Sequence, residues 1–172
     1  MSIGLVKGYT AKQYADLAAQ ANAEGKLLKI TETGDVEIVY PTYTLAEKKV
    51  FKLKQISQKT KEQIVGGFIS TATGGEVTFD SDEATQSTMQ TMYAATQSPD
   101  FANHPVYQGV IPVRGFAEGS TIKTVFYLNA TQVQKFMDDL ALHIGKCKQE
   151  GWAKQALVEV ASTVEELEQI VL

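Results

Sequence analysis

With 172 residues, 44% of them hydrophobic and 21% charged, the chain has the make-up of a globular protein and not of a disordered one. A net charge of −4 and a pI near 5.2 weigh against a dedicated nucleic-acid binder. Cys147 is the single cysteine, which excludes an intramolecular disulfide and leaves little room for a cysteine-based zinc site.

The N-terminal MSIGLVKGYTAKQY lacks the apolar core of a secretion signal. No run approaches the roughly 18 uninterrupted apolar residues of a membrane helix. Synthesis in a reducing cytoplasm, without a membrane partner, is therefore expected.

Thr10 is placed to cap a first helix whose small and apolar positions include Ala11, Tyr14, Leu17, Ala18 and Ala21, with Gly25 as its stop. In LLKITETGDVEIVY, Leu28, Ile30, Val36, Ile38 and Tyr40 alternate with polar residues around Thr33-Gly34-Asp35, the pattern of a β-hairpin ended by Pro41. Residues 1–43 thus read as a small helix–hairpin unit, a possible attachment module.

Thr44 opens a connecting helix over 44–66 with Leu45, Val50, Leu53, Ile56, Ile64 and Val65 toward one apolar face. Between Glu47 and Lys61 it carries six lysines. The bland reading of that run is a solvated helix face; the sharper one is a grip on an acidic partner through Lys48, Lys49 and Lys52. A nucleic-acid role for the helix from 47 to 61 is the weakest alternative, because phosphate is clasped best by arginine and the chain holds only Arg114.

The remainder, 67–172, reads as an α+β domain. Gly66-Gly67 and Gly74-Gly75 frame a break, followed by a short strand from Glu76 to Phe79. Asp80 or Ser81 then caps a helix buried through Met89, Met92 and Tyr93. SPDFANHP is a loop. YQGVIPVRGF and TIKTVFYLN form a second hairpin, with Val125 and Tyr127 on one face and Phe126 and Leu128 on the other. Pro112 suggests an edge strand or a bulge there.

Asn129 or Thr131 caps the longest helix, whose stripe runs Val133, Phe136, Met137, Leu140, Ile144, Cys147 and Trp152, with bends expected at Gly145 and Gly151. Thr163 and Glu166 form a capping box for a final short helix with Val164, Leu167, Ile170 and Val171 beneath it. Too short to stand alone, that helix must dock, and with the long helix it is expected to lid the strand from residue 76 and the second hairpin.

No constellation calls for chemistry. His143 and Cys147 share a helix face, but Cys147 falls in the apolar stripe and His104 is isolated in a loop. DSDE at 80–83 lacks calcium-loop spacing, TATGGE lacks the lysine of a phosphate loop, and Asp138 and Asp139 point to different sides of their helix, toward solvent. No catalytic residue, cofactor or metal is expected. Phe101, Tyr107 and Phe116, in loop or edge positions, are the candidate exposed contacts for a partner, beside the lysines.

From about residue 61 to 172 the chain resembles a family of uncharacterised domains associated with bacteriophage tail-fibre and tail-fibre-assembly proteins. The resemblance is carried by GGFISTATGGEVTFDSDEATQSTMQTMYAA, VFYLNATQVQKFMDDLALHIGKCKQ and ALVEVASTVEELEQIV. Phe79, Asp80, Leu128, Thr163, Val164, Glu166 and Leu167 occupy the pattern's positions. The first 60 residues lie outside it, and the loop from Ser98 to Gly109 is long for it.

The resemblance implies a non-enzymatic tail protein, a structural connector or attachment component contacting a tail-fibre or baseplate protein in the virion. The alternative is an assembly chaperone left in the host cytoplasm. A homo-oligomer or a place in a symmetric assembly is expected. The basic helix and an acidic tail around 159–168 would form opposite-charge ends able to steer subunits together.

Overall fold

The computed structural model describes residues 8–23, 26–40 and 42–172 of the chain. It is α+β, as expected, with two compact units, 1–47 and 48–172.

In the first unit, helix α1 (Ala11–Ala23) starts where Thr10 and Gln13 exchange hydrogen bonds: the Thr10 hydroxyl accepts from the Gln13 N–H at 3.3 Å, and Gln13 Oε1 accepts from the Thr10 N–H at 2.9 Å. Strands β1 (Leu27–Ile30) and β2 (Val36–Val39) pair antiparallel, with Leu28 opposite Ile38 and Ile30 opposite Val36. Gly34 takes a φ of +87° in the turn, which only glycine adopts without strain. Ile30 and Tyr40 stay exposed, and Lys26 lies over the Tyr40 ring. The stops expected at Gly25 and Pro41 lie outside the described residues.

Helix α2 (Leu45–Val65) begins at a Thr44–Glu47 capping box and runs into the second unit. There a four-stranded antiparallel sheet follows the order β3 (Phe68–Ser70), β4 (Val77–Phe79), β5 (Ile111–Ala117), β6 (Thr124–Leu128). Strand β3 occupies the expected break. At three residues it is too short to show alternation, and its identity comes from pairing with β4.

Side chains alternate across the sheet. Phe68, Val77, Phe79, Ile111, Val113 and Leu128 point inward, under α3 (Glu83–Thr96) and the first half of α4 (Ala130–Val160), which contribute Met89, Val133, Phe136 and Leu140. Val125 and Tyr127 point outward, as the alternation required. Strand β5 is interior, not an edge, yet Pro112 is tolerated: its registered partner is Tyr127 of β6, and the β4 register stops at Gly115.

The cap of α3 is Asp82, not Asp80 or Ser81. Its carboxylate accepts from the Thr85 N–H at 3.0 Å and from the Thr85 hydroxyl at 2.7 Å. The other two are committed elsewhere: Asp80 to Lys123 at 2.6 and 2.8 Å, and buried Ser81 to the Gly67 N–H and the Ile64 carbonyl.

The second half of α4 lies antiparallel to α2. Gly151 meets Thr60, Gln155 Nε2 donates to Ser57 Oγ at 3.1 Å, and Lys49 Nζ donates to the Glu159 carbonyl at 2.8 Å. Helix α4 is continuous through Gly145 and Gly151, and Gly151 allows close approach to Thr60. The stripe passes through Gly151, so Trp152, one position further on, is 61% exposed. Val50 and Val171, also expected to be covered, are exposed.

The terminal helix α5 (Val164–Glu168) has the full Thr163–Glu166 capping box. It does not lid the sheet. Leu167 and Ile170 are buried, Glu168 lies 3.8 Å from Lys48 of α2, and Leu172 shares a recess with Ile56, Thr60 and Gly151. The tail therefore docks on the α2–α4 pair.

Asp139 does not face solvent. It accepts from Ser70 Oγ at 2.8 Å and from the Thr71 N–H at 3.3 Å, and pairs with Lys135. Burial alone would raise its carboxyl pKa, but the bonds from Lys135, Ser70 and Thr71 outweigh it and hold it below the ordinary range. A depressed folded pKa means stability present above the unfolded value of about 3.9 and lost as pH falls through the folded value. Asp139→Asn should thus cost on the order of 1–2 kcal/mol at neutral pH. Urea titrations should show the deficit shrinking as the pH drops below about 4.

Candidate functional site

The lysines proposed for partner contact are largely engaged within the second unit. Lys49 binds the Glu159 carbonyl and Lys48 the Glu168 carboxylate; Lys52 is half-buried on the same helix. Lys61 pairs with Glu83 at 3.1 Å, and Lys59 lies 3.9 Å from Glu62. The basic helix and acidic tail are side by side within one chain instead of forming opposite ends. Periodicity could not reveal this, since the partners of Lys48 and Lys49 lie more than a hundred positions away in sequence. Such exposed pairs contribute little stability each, and they set register more than affinity.

The three aromatic candidates separate. Phe101 is 6% exposed and belongs to the core, because the expected loop contains a 3-10 turn, Phe101–Asn103, that drives the ring inward. Tyr107 packs on that core and stacks on His104 at 4.7 Å between centroids. Phe116 is half-buried on the outer sheet face, with Lys123 Nζ 5.2 Å from its ring centroid. Phe101 is thus unavailable to a partner, and Tyr107 only in part.

The histidines hold backbone in place. His104 Nδ1 accepts from the N–H groups of Val106 and Tyr107, each at 3.2 Å. His143 Nε2 faces the carbonyls of Gln63 and Ile64 at 3.1 and 3.3 Å; carbonyls only accept, so this nitrogen is the donor, closing the C-terminal end of α2. Cys147 Sγ sits 3.9 Å from that nitrogen, but burial, and then the Glu150 charge, pushes its thiol pKa up. A thiol held neutral is the reverse of what a nucleophile or metal ligand requires. Among the described residues, no three His, Cys, Asp or Glu side chains are grouped to hold a metal ion, and no helix is long and apolar enough to cross a membrane.

Exposed apolar side chains also lie on the sheet. On the outer sheet face, Val125 and Tyr127 of β6 are exposed opposite Arg114 and Pro112 of β5, and exposed Ile69 of β3 lies in the row of Phe116 with Thr78 of β4 between them. Alternation in TVFYL signalled two of these residues. Ile69 was hidden with the unrecognised β3.

Compared with protein-family models, curated proteins and solved structures, the chain matches none.

Proposed function

We propose that the chain is a non-enzymatic bacteriophage tail component, a connector or attachment subunit working through contacts with a tail-fibre or baseplate protein in a symmetric assembly. The resemblance over residues 61–172 supports the setting. What supports the mode of action is one observation: the outer face of the four-stranded sheet presents Ile69, Val125 and Tyr127, the last 66% exposed, where a monomer would place polar side chains. The N-terminal hairpin adds exposed Leu27, Ile30 and Tyr40, consistent with an attachment module.

Quantitative mass spectrometry of purified particles tests this reading. The chain is expected at a fixed integral ratio to the baseplate proteins. Its presence in infected cells but absence from particles would reject the virion role in favour of an assembly chaperone. Failure to associate with tail proteins at either stage would reject both.

A further inference from the structure

Strand β5 outruns its neighbour. β4 pairs with β5 only from Gly115 to Ala117, whereas β6 flanks β5 from Ile111 to Gly115. After Phe79 the chain turns away through Asp80 into α3, so among the described residues no strand pairs with Pro112, Val113 and Arg114 on that flank. A slot of about 280 Å³ remains between this stretch and α3. Its floor is the core itself, Phe79, Met89 and Phe136, with Met92 on the helix wall and Thr85 and Thr88 at the lip.

The backbone, the charge and the volume each narrow the occupant. Proline lacks an N–H and is accommodated in a strand where its nitrogen faces no partner. With Pro112 oriented that way, alternation turns the N–H and C=O of Arg114 toward the slot as well. Continuing β4 along this flank would supply the missing ladder partner, which is strand addition. The mouth is positive, because Asp80 is paired with Lys123 while, among the described residues, the guanidinium of Arg114 meets no hydrogen-bond or ion-pair partner. The volume is just under the ~300–1,000 Å³ of small-molecule sites, so it suits one anchoring side chain better than a cofactor. Met89 and Met92 can adapt to that side chain's shape.

We propose that the slot between β5 and α3 binds an extended peptide segment of a partner protein by strand addition. One apolar side chain sits over Phe79, Met89 and Phe136, and a neighbouring Asp or Glu of the peptide pairs with Arg114. This holds whichever assembly the chain serves.

The test is selection of mRNA-displayed random dodecapeptides on the full-length protein, with Arg114→Glu and Thr88→Trp as parallel baits. Both substituted side chains are exposed, so melting curves should match the wild type. Enriched peptides are expected to combine an apolar residue with an adjacent acidic one. Their binding should weaken roughly tenfold on Arg114→Glu and vanish on the slot-filling Thr88→Trp. Amide NMR shifts should cluster at 85–92 and 112–114. The proposal is overturned by peptides that bind both variants as well as wild type, by no enrichment over the variants, or by shifts centred elsewhere. Concentration-dependent self-association abolished by Arg114→Glu would also overturn it, by showing a second copy as the occupant.

Discussion

Phe136→Ala is expected to be the most damaging truncation in the second unit, lowering stability by about 3–5 kcal/mol. Phe136 is 1% exposed and joins the α4 stripe to β3 and β4, the sheet's first hairpin. Its ring meets Phe68 at 5.0 Å and Phe79 at 4.9 Å between centroids, each at an interplanar angle of 75°. Each such edge-to-face pair adds about 0.5–1.5 kcal/mol beyond burial. With about 2–4 °C of melting temperature per kcal/mol for a chain this size, calorimetry should register a drop of roughly 6–20 °C. Trp152→Ala is the control. That exposed ring should cost under about 0.5 kcal/mol, although a stripe counted from spacing alone would rank it with Phe136. Equal losses for the two would refute the assignment of the buried face.

Gly151→Leu is the second substitution with a large expected effect. A Cβ on Gly151 would lie well inside contact with Thr60 Oγ1 and at 3.2 and 3.3 Å from Thr60 Cγ2 and Cβ. The remaining leucine atoms then have nowhere to go but against α2. Overpacking of this kind costs about 1–3 kcal/mol, occasionally more. Here it would also strain the Gln155–Ser57 and Lys49–Glu159 bonds that flank the crossing. Gly145 supplies the comparison within the same helix. It has open space around it, so Gly145→Ala should stabilise by about 0.5–1 kcal/mol through helix propensity. Pairing Gly151→Ala with Thr60→Gly should cost less than the sum of the two single changes, because the two sites share one contact. A Gly151→Leu protein that melts like the wild type would show that the helices do not touch there.

Several elements were legible without coordinates. Helix α4 begins at Asn129, where the side chain accepts from the Gln132 N–H at 3.0 Å, and α5 begins at Thr163 with Glu166 reaching back. A capping box closes within four residues, so its partners are read off consecutive letters. The stripe of α4 and the alternation of β6 are equally local, set by the helical and extended repeats. The spacing failed at Trp152 for a simple reason: a glycine is silent in a hydrophobic count, and the stripe position belonged to Gly151.

Other features depend on residues far apart in the chain. Asp80, Ser81 and Asp82 are equally able to cap α3. Asp82 does so because Lys123 takes Asp80 and Ser81 bonds to Gly67 and Ile64, 14 and 17 positions back. Asp139 is tied to Ser70 across 69 positions, and Lys49 to Glu159 across 110. The bond to Glu159 engages Lys49, and the 3-10 turn removes Phe101 from the surface. The slot beside β5 likewise arises from unequal strand lengths and exists only once β4 and β5 are in register. Local chemistry chooses which segments coil or extend and where they start. Which side chains remain for a partner depends on long-range packing, because a polar or aromatic group is available only if no distant residue has claimed it.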